Sequence, residues 1–272
     1  MNRVGVGVSR ESNPEAAVAE VLNSAIKEVN LPQVHWVMIF FTQEHFVHAG
    51  RLHELIREKT KCENLVGCSG MGVITGEGEK AFSAGADISE LSQRTLTSEM
   101  GPESNLRKEL PTAIERLRKP TVAAINGYCF GAGMEVALGC TIRIASEDAK
   151  LAQPEITLGQ IPGSGGTQRL FRFVGLGWAM QMILTGEPVN AETAQNIGLV
   201  TEVHSQETLV SRAKELATKL GSQAPLAFVA GRDAVLRSTE TDLQNGIDYE
   251  KKLYAICVAS EDGREGLAAY VE

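Results

Sequence analysis

The sequence has few of the features that mark membrane-bound, secreted or nucleic-acid-binding proteins. No apolar run reaches the roughly 18 residues that a membrane-spanning helix needs. The formal net charge of −8 at pH 7 disfavours nucleic acid and anionic membranes as main partners. The opening MNRVGVGVSRES lacks the basic and apolar segments of a secretory signal. We therefore expect a cytoplasmic protein with no nucleic-acid or membrane partner.

Cysteine and histidine are also sparse. The five cysteines are odd in number and form no CxxC pair, so we expect reduced thiols rather than disulfides. Four of the five histidines lie in the first 80 residues, where His45 and His48 have no third ligand partner nearby. Packing or surface histidines are therefore favoured over a metal site.

The common nucleotide and nucleophile motifs are missing as well. Gly131-Ala132-Gly133 is not followed by a third glycine at the spacing of a dinucleotide fingerprint, and no GxxxxGK phosphate loop occurs. Gly67-Cys68-Ser69-Gly70 lacks the closing glycine of a nucleophile elbow. A Rossmann site, a P-loop and a hydrolase elbow are therefore disfavoured.

The strongest signal lies between residues 120 and 170. The segment 121–125 (TVAAI) is apolar and rich in β-branched residues, which is typical of a buried strand. A glycine turn follows and leads into a helix-forming run at 134–138. Backbone N–H groups and the positive end of a helix dipole meet there, which favours an oxyanion or another anion. Similar glycine turns occur at 83–85 and 162–166.

Two of these segments each carry one glutamate between apolar neighbours. Glu135 and Glu155 are therefore expected to be desolvated, with the raised pKa that general acid–base catalysis near neutral pH requires. The pair could hold one water, with one carboxyl taking a proton and the other giving one. Capped or ion-paired structural glutamates remain an equal alternative. Likewise, the glycine turns could supply two oxyanion-hole donors or could simply be tightly packed.

Strands and helices alternate in the first 80 residues. Strands are expected at 4–9, 34–41, 65–66 and 71–75, the last two separated by the glycine-containing segment 67–70, and helices at 13–29 and 48–59. This alternation predicts parallel βαβ units. The polar segment 92–105 predicts a mobile loop. After Gly166 the pattern is largely helical, with separate helices expected at 166–174 and 178–184.

From about residue 76 to the end, the chain resembles the crotonase superfamily of enoyl-CoA hydratases and isomerases. The motifs that carry the resemblance are KAFSAGADISEL (80–91), KPTVAAINGYCFGAGMEVALGCTIRIAS (119–146), QPEITLGQIPGSGGTQRL (153–170), LTGEPVNAETAQNIGLVTEV (184–203) and YEKKLYAICVASEDGREGLAAYVE (249–272). The resemblance implies an α/β fold with a ββα spiral core over 79–230. It also implies a helical trimerisation region over 231–272, in a homotrimer or hexamer.

The same resemblance implies roles for individual residues. The thioester carbonyl would lie between the backbone N–H groups of Ala84 and Ala132, the second of which is usually glycine in the family. Glu135 would activate water for attack at C3, and Glu155 would deliver a proton to C2. The implied reaction is syn hydration of a trans-2-enoyl-CoA to 3-hydroxyacyl-CoA, without a metal or redox cofactor. The residues implied to contact the substrate are Ala81, Ala84, Gly85, Ala86, Asp87, Ile88, Gly131, Pro162 and Gly163.

Residues 1–78 depart from the family pattern, because they lack the NRP…NAL turn that usually contacts CoA. The segments VGVGVSRESNPEAAVAEVL, WVMIFFT and NLVGCSGMGVITGEGE instead resemble the start of a FIST-type sensory domain. An enoyl-CoA isomerase and a CoA- or small-ligand-binding fusion protein without turnover therefore remain alternatives. The glutamate pair favours catalysis, whereas the missing turn favours binding alone.

Overall fold

The computed structural model describes Ala16, Glu20 and residues 37–41, 65–69 and 72–271. Ala16 and Glu20 are helical, in agreement with the helix expected at 13–29. The strand expected at 4–9 and the helix expected at 48–59 lie outside the described residues.

The described strands are short and almost all parallel. They are β1 (Val37–Phe41), β2 (Leu65–Ser69), β3 (Val73–Thr75), β4 (Ala81–Ser83), β5 (Val122–Ile125), β6 (Tyr128–Phe130), β7 (Ile142–Ser146), β8 (Lys150–Ala152), β9 (Val189–Asn190) and β10 (Glu202–His204). They form a two-stranded sheet, β1-β2, and two four-stranded sheets, β10-β7-β5-β3 and β4-β6-β8-β9. Only the β8–β9 pairing is antiparallel among these strands.

Consecutive strands step from one four-stranded sheet to the other. β3 and β4, β5 and β6, and β7 and β8 are each separated by a short corner, yet the members of each pair lie in different sheets. A helix or loop then returns the chain to the first sheet. This repeated step is the ββα spiral that the resemblance implied, and the predicted α/β fold class is confirmed.

The corners between the sheets require glycine and a buried amide. A side chain at Gly127 would overlap the backbone of Lys80 in the neighbouring corner. Asn126 is buried, and its side chain accepts from the Gly76 N–H at 3.0 Å and donates to the carbonyls of Gly76 and Gly78 at 3.1 and 2.7 Å. One asparagine therefore joins the β5–β6 corner to the β3–β4 corner.

The described helices surround the two sheets and then continue beyond them. They are α1 (Ile88–Leu91), α2 (Leu96–Met100), α3 (Pro102–Glu115), α4 (Ala132–Gly139), α5 (Gly166–Thr185), α6 (Ala191–Asn196), α7 (Gln206–Gly221), α8 (Pro225–Arg237), α9 (Leu243–Ala259) and α10 (Glu261–Val271). Helix α5 is broken at Gly175, where φ is 74°, so the predicted separation of 166–174 from 178–184 is confirmed. Within the described part of the chain, no helix is both long and apolar enough to cross a membrane.

The predicted loop at 92–105 is wrong, because α2 and the start of α3 occupy most of it. Thr95 and Ser98 form a reciprocal capping box, and Pro102 opens α3. Leu96 and Met100 of α2 are 78% and 77% exposed. A helix without a buried apolar face leaves little periodic signal in a sequence, which explains the error.

The apolar core fixes the position of α4 between the spiral and α5. Met134 and Leu138 of α4 are buried in one cluster with Ile125 and Leu170. Strand β5 is buried on both faces, since Val122 packs into a second cluster beneath α7. A strand covered on both faces is expected to be continuously apolar, which accounts for the TVAAI pattern.

The joined corners give a stability prediction. Asn126→Ala leaves the buried N–H and carbonyl of Gly76 and the part-buried carbonyl of Gly78 without this partner. We therefore expect it to lower the free energy of unfolding by on the order of 2–4 kcal/mol. Urea unfolding measures this change. The matched control is Asn190→Ala, which removes one exposed cap bond to Thr193 and should cost about 1 kcal/mol. Equal losses in the two variants would contradict the role assigned to Asn126.

Candidate active site

Glu135 lies in the first turn of α4 and is buried, with 2% of its surface exposed. Its Oε1 accepts from the backbone N–H groups of Ser164 at 2.6 Å and Gly166 at 2.8 Å. Burial raises the pKa of Glu135, while these two N–H groups and the charge of Arg169 act in the opposite direction. The carboxyl is therefore desolvated and at the same time held by fixed donors.

Glu155 follows β8 on a short 3₁₀ helix, Pro154–Leu158, and is half-buried. Burial raises the pKa of Glu155 to about 7, its own backbone N–H lowers it, and the negative charge of Glu135 raises it. The sequence expectation of two desolvated glutamates with raised pKa values is confirmed. Because the two carboxyls influence each other, they share one site.

The turn that starts α4 lies against Glu155. Gly131 has a φ of 53°, and a Cβ at this position would lie 3.2 Å from Oε1 of Glu155. Glu135 is one helical turn further along, since its N–H donates to the Gly131 carbonyl at 3.0 Å. The start of α4 therefore brings the two carboxyls and a helix N-terminus together.

The glycine turn after β4 lies beside this helix start. A side chain at Gly133 would overlap Ser83, and a Cβ at Gly85 would lie 3.8 Å from the Ala132 nitrogen. Ala132 is the first residue of α4, a position whose N–H has no partner within its own helix. The Gly85 N–H is taken by the Ser83 hydroxyl at 3.3 Å. The two segments predicted to supply oxyanion-hole donors, those of Ala84 and Ala132, are therefore neighbours.

The other residues predicted to contact substrate lie around these two turns. Ala84, Ala86, Asp87, Ile88 and Gly163 are exposed, Ala81 and Gly85 are half-buried, and Gly131 and Pro162 are buried. Asp87 caps α1 by accepting from the Ser89 N–H at 2.8 Å. Pro162 packs against Gly166, so it supports the loop that holds Glu135.

Sequence reasoning missed Gln153, which is fully buried at the end of β8. With its amide nitrogen facing Glu155, the orientation that satisfies the local hydrogen bonding, Gln153 donates to both carboxyl oxygens at 3.0 and 3.1 Å. The signal was a glutamine two positions before the glutamate. The backbone N–H groups of Ser164 and Gly166 that donate to Glu135 were missed as well. Every residue except proline has such a group, so a sequence does not show which of them will bind a carboxyl.

The histidine and cysteines of the described residues form no hydrogen bond with either glutamate. No cluster of three His, Cys, Asp or Glu suited to a metal ion occurs among the residues that the structure describes. His204, the one histidine in that region, contacts Glu202 at 2.7 Å, and Glu202 also pairs with Arg212 at 2.8 Å. Cys129, Cys140 and Cys257 are free thiols.

The two carboxyls have different environments, which suits paired proton transfer. Glu135 accepts two short N–H bonds and so is favoured as the ionised base. Glu155, with a pKa of about 7, is partly protonated at neutral pH and can act as the acid. Two carboxyls in such different environments can divide the work, one activating a water and the other protonating the molecule that the water attacks.

The raised pKa of Glu155 predicts how stability depends on pH. A carboxyl with a folded pKa of about 7 releases its proton more readily when unfolded. The unfolded chain therefore binds fewer protons between about pH 4.5 and 7, and stability falls as pH rises through that window. Glu155→Gln removes this loss, so its free energy of unfolding should rise relative to wild type between pH 5 and 8. Urea titrations at each pH test this, and a constant difference would contradict it.

Comparisons with known proteins agree with this architecture. Residues 49–272 match the family described as enoyl-CoA hydratase/isomerase. Over 200 residues the chain is 41% identical to the short-chain-enoyl-CoA hydratase of Clostridium acetobutylicum, covering 74% of this chain and 76% of the relative. It is 42% identical over 200 residues to the mitochondrial enoyl-CoA hydratase of Pongo abelii, covering 74% and 68%.

The three-dimensional structure of this chain is also similar to that of a solved enoyl-CoA hydratase. The enoyl-CoA hydratase of Bacillus anthracis superposes with a TM-score of 0.69 at 32% identity, covering 88% of this chain and 93% of that chain. The family match begins at residue 49, inside the segment for which the start of a FIST-type domain was predicted. That second resemblance and the domain boundary near residue 78 stay predictions. The matched residues and the stepped strands of the spiral show that the chain belongs to the enoyl-CoA hydratase/isomerase family.

Proposed function

We propose that this protein hydrates a trans-2-enoyl-CoA to the 3-hydroxyacyl-CoA. The observation that carries the proposal is the convergence of Glu135 and Glu155 beside the glycine turn that starts α4. A hydratase needs two proton-transfer groups, one for water and one for the α-carbon. Relatives named as hydratases, at about 40% identity, support the same reaction.

The proposed steps follow from the environment of each group. Glu135 takes a proton from water, and the oxygen attacks C3 of the enoyl thioester. The electron pair of the double bond moves toward the carbonyl, and Glu155 delivers a proton to C2. The N–H groups of Ala84 and Ala132 would stabilise the enolate oxygen, each by about 3–4 kcal/mol. Proton transfer from Glu135 to Glu155 restores the starting state, and the chemistry uses no cofactor beyond the substrate's own CoA.

The substrate's CoA arm would run over the exposed turn between β4 and α1. Ala84, Ala86 and Ile88 are exposed there, which supports the predicted contacts. Localisation in the cytoplasm remains part of the proposal.

The C-terminal helices support a homotrimer or hexamer. α9 and α10 have no buried residue within the described chain, yet they carry large apolar side chains. Those at least half exposed are Leu243, Tyr254, Ile256, Leu267, Tyr270 and Val271. Helices with unburied apolar side chains commonly pack against another copy. We retain residues 231–272 as the trimerisation region and 79–230 as the catalytic core.

Replacing either glutamate tests the activity. Glu135→Gln and Glu155→Gln should each lower kcat for crotonyl-CoA hydration by on the order of 10²–10⁴-fold, because each removes one proton-transfer group. Loss of enoyl-thioester absorbance measures the rate. Glu147→Gln, at an exposed turn, is the matched control and should leave the rate unchanged.

Two outcomes would contradict the proposal. If crotonyl-CoA binds to the wild-type protein without loss of its absorbance, the chain is a binding protein. If a 3-enoyl-CoA is converted to the conjugated isomer while crotonyl-CoA stays unhydrated, the chain is an isomerase.

The two environments also predict the pH profile. Glu155 must be protonated to act as the acid, and its pKa is about 7. We therefore expect kcat/KM for crotonyl-CoA to fall as pH rises above roughly 7, with an acidic limb where Glu135 gains a proton. Rates between pH 5 and 9 test this. A rate that climbs steadily through pH 8 would contradict the assignment of Glu155 as acid.

A further inference from the structure

The guanidinium of Arg169, in the first turn of α5, is held by several contacts that the two-glutamate mechanism does not use. Nε and Nη2 donate to the two oxygens of Glu115 at 3.1 and 2.9 Å, and Nη2 also donates to the Thr112 hydroxyl at 3.0 Å. The side chain is 12% exposed. Its remaining end, Nη1, donates to the Ser164 carbonyl at 3.0 Å.

This last contact falls on a residue that holds the proposed base. The Ser164 N–H donates to Glu135, and the Ser164 carbonyl accepts from Arg169. Ser164 therefore links the Arg169 guanidinium to the Glu135 carboxyl. Helix α3 anchors the arginine through Glu115 and Thr112, so the loop is tied to a second helix as well as to α4.

The loop needs such a tie because its own sequence is flexible. Residues 162–166 are PGSGG, and glycine loses more backbone entropy than other residues when it is ordered. Gly165 has a φ of 99°, and a side chain there would overlap Nη1 of Arg169. The loop thus lies directly on the guanidinium, and the glycine is required for this close approach.

The positive charge of Arg169 favours the ionised form of Glu135, as do the N–H groups of the loop that it holds. The charged side chains that act on Glu135, or that lie against its supporting loop and Arg169, come from three elements. They are Arg169 on α5, Lys108 and Glu115 on α3, and Glu155 on the 3₁₀ helix. Of these, Arg169 lowers the pKa of Glu135. The buried thiols of Cys129 on β6 and of Cys140 at the end of α4 have raised pKa values and stay uncharged near neutral pH.

We propose that Arg169 is a positioning residue for Glu135, holding the Ser164 peptide so that its N–H stays on the carboxylate. Glu115 and Thr112 fix the guanidinium, and the guanidinium fixes the loop. The role in hydration rests on the proposed function, whereas the effect on the Glu135 carboxyl does not. A purely structural tie between α3 and α5 would stabilise the fold without changing how Glu135 titrates.

The kinetic test compares Arg169→Gln with Arg172→Gln. Arg172 is exposed and, among the residues that the structure describes, donates only to the Gln168 carbonyl of its own helix. With crotonyl-CoA, R169Q should lower kcat by on the order of 10²-fold with little change in KM, because the base is misplaced. The acidic limb of the R169Q pH–rate profile, where Glu135 gains a proton, should move to higher pH. R172Q should match wild type in both respects.

Arg169→Lys separates charge from geometry. A lysine keeps the positive charge but cannot reach Glu115 and Ser164 together. Relative to R169Q, R169K should therefore move the acidic limb most of the way back to its wild-type pH but recover only part of kcat. If R169Q does not fold, R169K against Arg172→Lys carries the comparison, and equal kcat in those two variants would overturn the proposal.

A titration without turnover separates this proposal from the proposed function. Carbon-13 NMR of protein labelled at glutamate carboxyls follows Glu135 directly, with Glu135→Gln identifying its signal. R169Q should raise the pKa of Glu135 and R172Q should not. An unchanged Glu135 titration in R169Q would overturn the positioning role even if hydration were observed. Absence of hydration with a shifted titration would overturn only the function.

Discussion

The site depends on one buried carboxylate held by two backbone N–H groups. Removing an ionised carboxyl from water is costly unless its oxygens find donors. Glu135 finds them in Ser164 and Gly166, on a loop that follows β8 and opens α5. That arrangement fixes α4 against α5. It also explains why residue 166 is glycine, since a side chain there would meet Pro162 and the Gln153 amide.

The spiral brings these pieces to one place. Each short strand pair steps between the two four-stranded sheets, and the segments that follow β4, β6 and β8 leave one sheet side by side. These segments are the glycine turn at Ala84, the start of α4 and the 3₁₀ helix with Glu155. Three segments far apart in the chain thus meet because their strands are parallel neighbours. The fold and the candidate site have the same geometric origin, as expected for sites at the carboxyl ends of parallel strands.

Helices and strands were predictable from the sequence where a pattern of residues within the element itself identified them. The helical pattern predicted separate segments at 166–174 and 178–184, on either side of the break at Gly175 in α5, and a continuous apolar run predicted β5. Helix α2 was not predictable from apolar periodicity, because its large side chains are exposed. Gln153 lies only two residues from Glu155, yet nothing in its local pattern showed that it is buried and faces both carboxyl oxygens.

The sequence alone determined the family resemblance, the two glutamates in apolar surroundings and the glycine turns near them. Each of these is a property of residue type and local spacing. Tertiary structure decided which donors reach Glu135, why the pKa of Glu155 is about 7, and that Arg169 contacts the loop behind the base. The Ser164–Glu135 and Arg169–Glu115 contacts join residues 29 and 54 positions apart. Contacts over such separations exist only after packing has ordered the helices and the loop, so no local pattern encodes them.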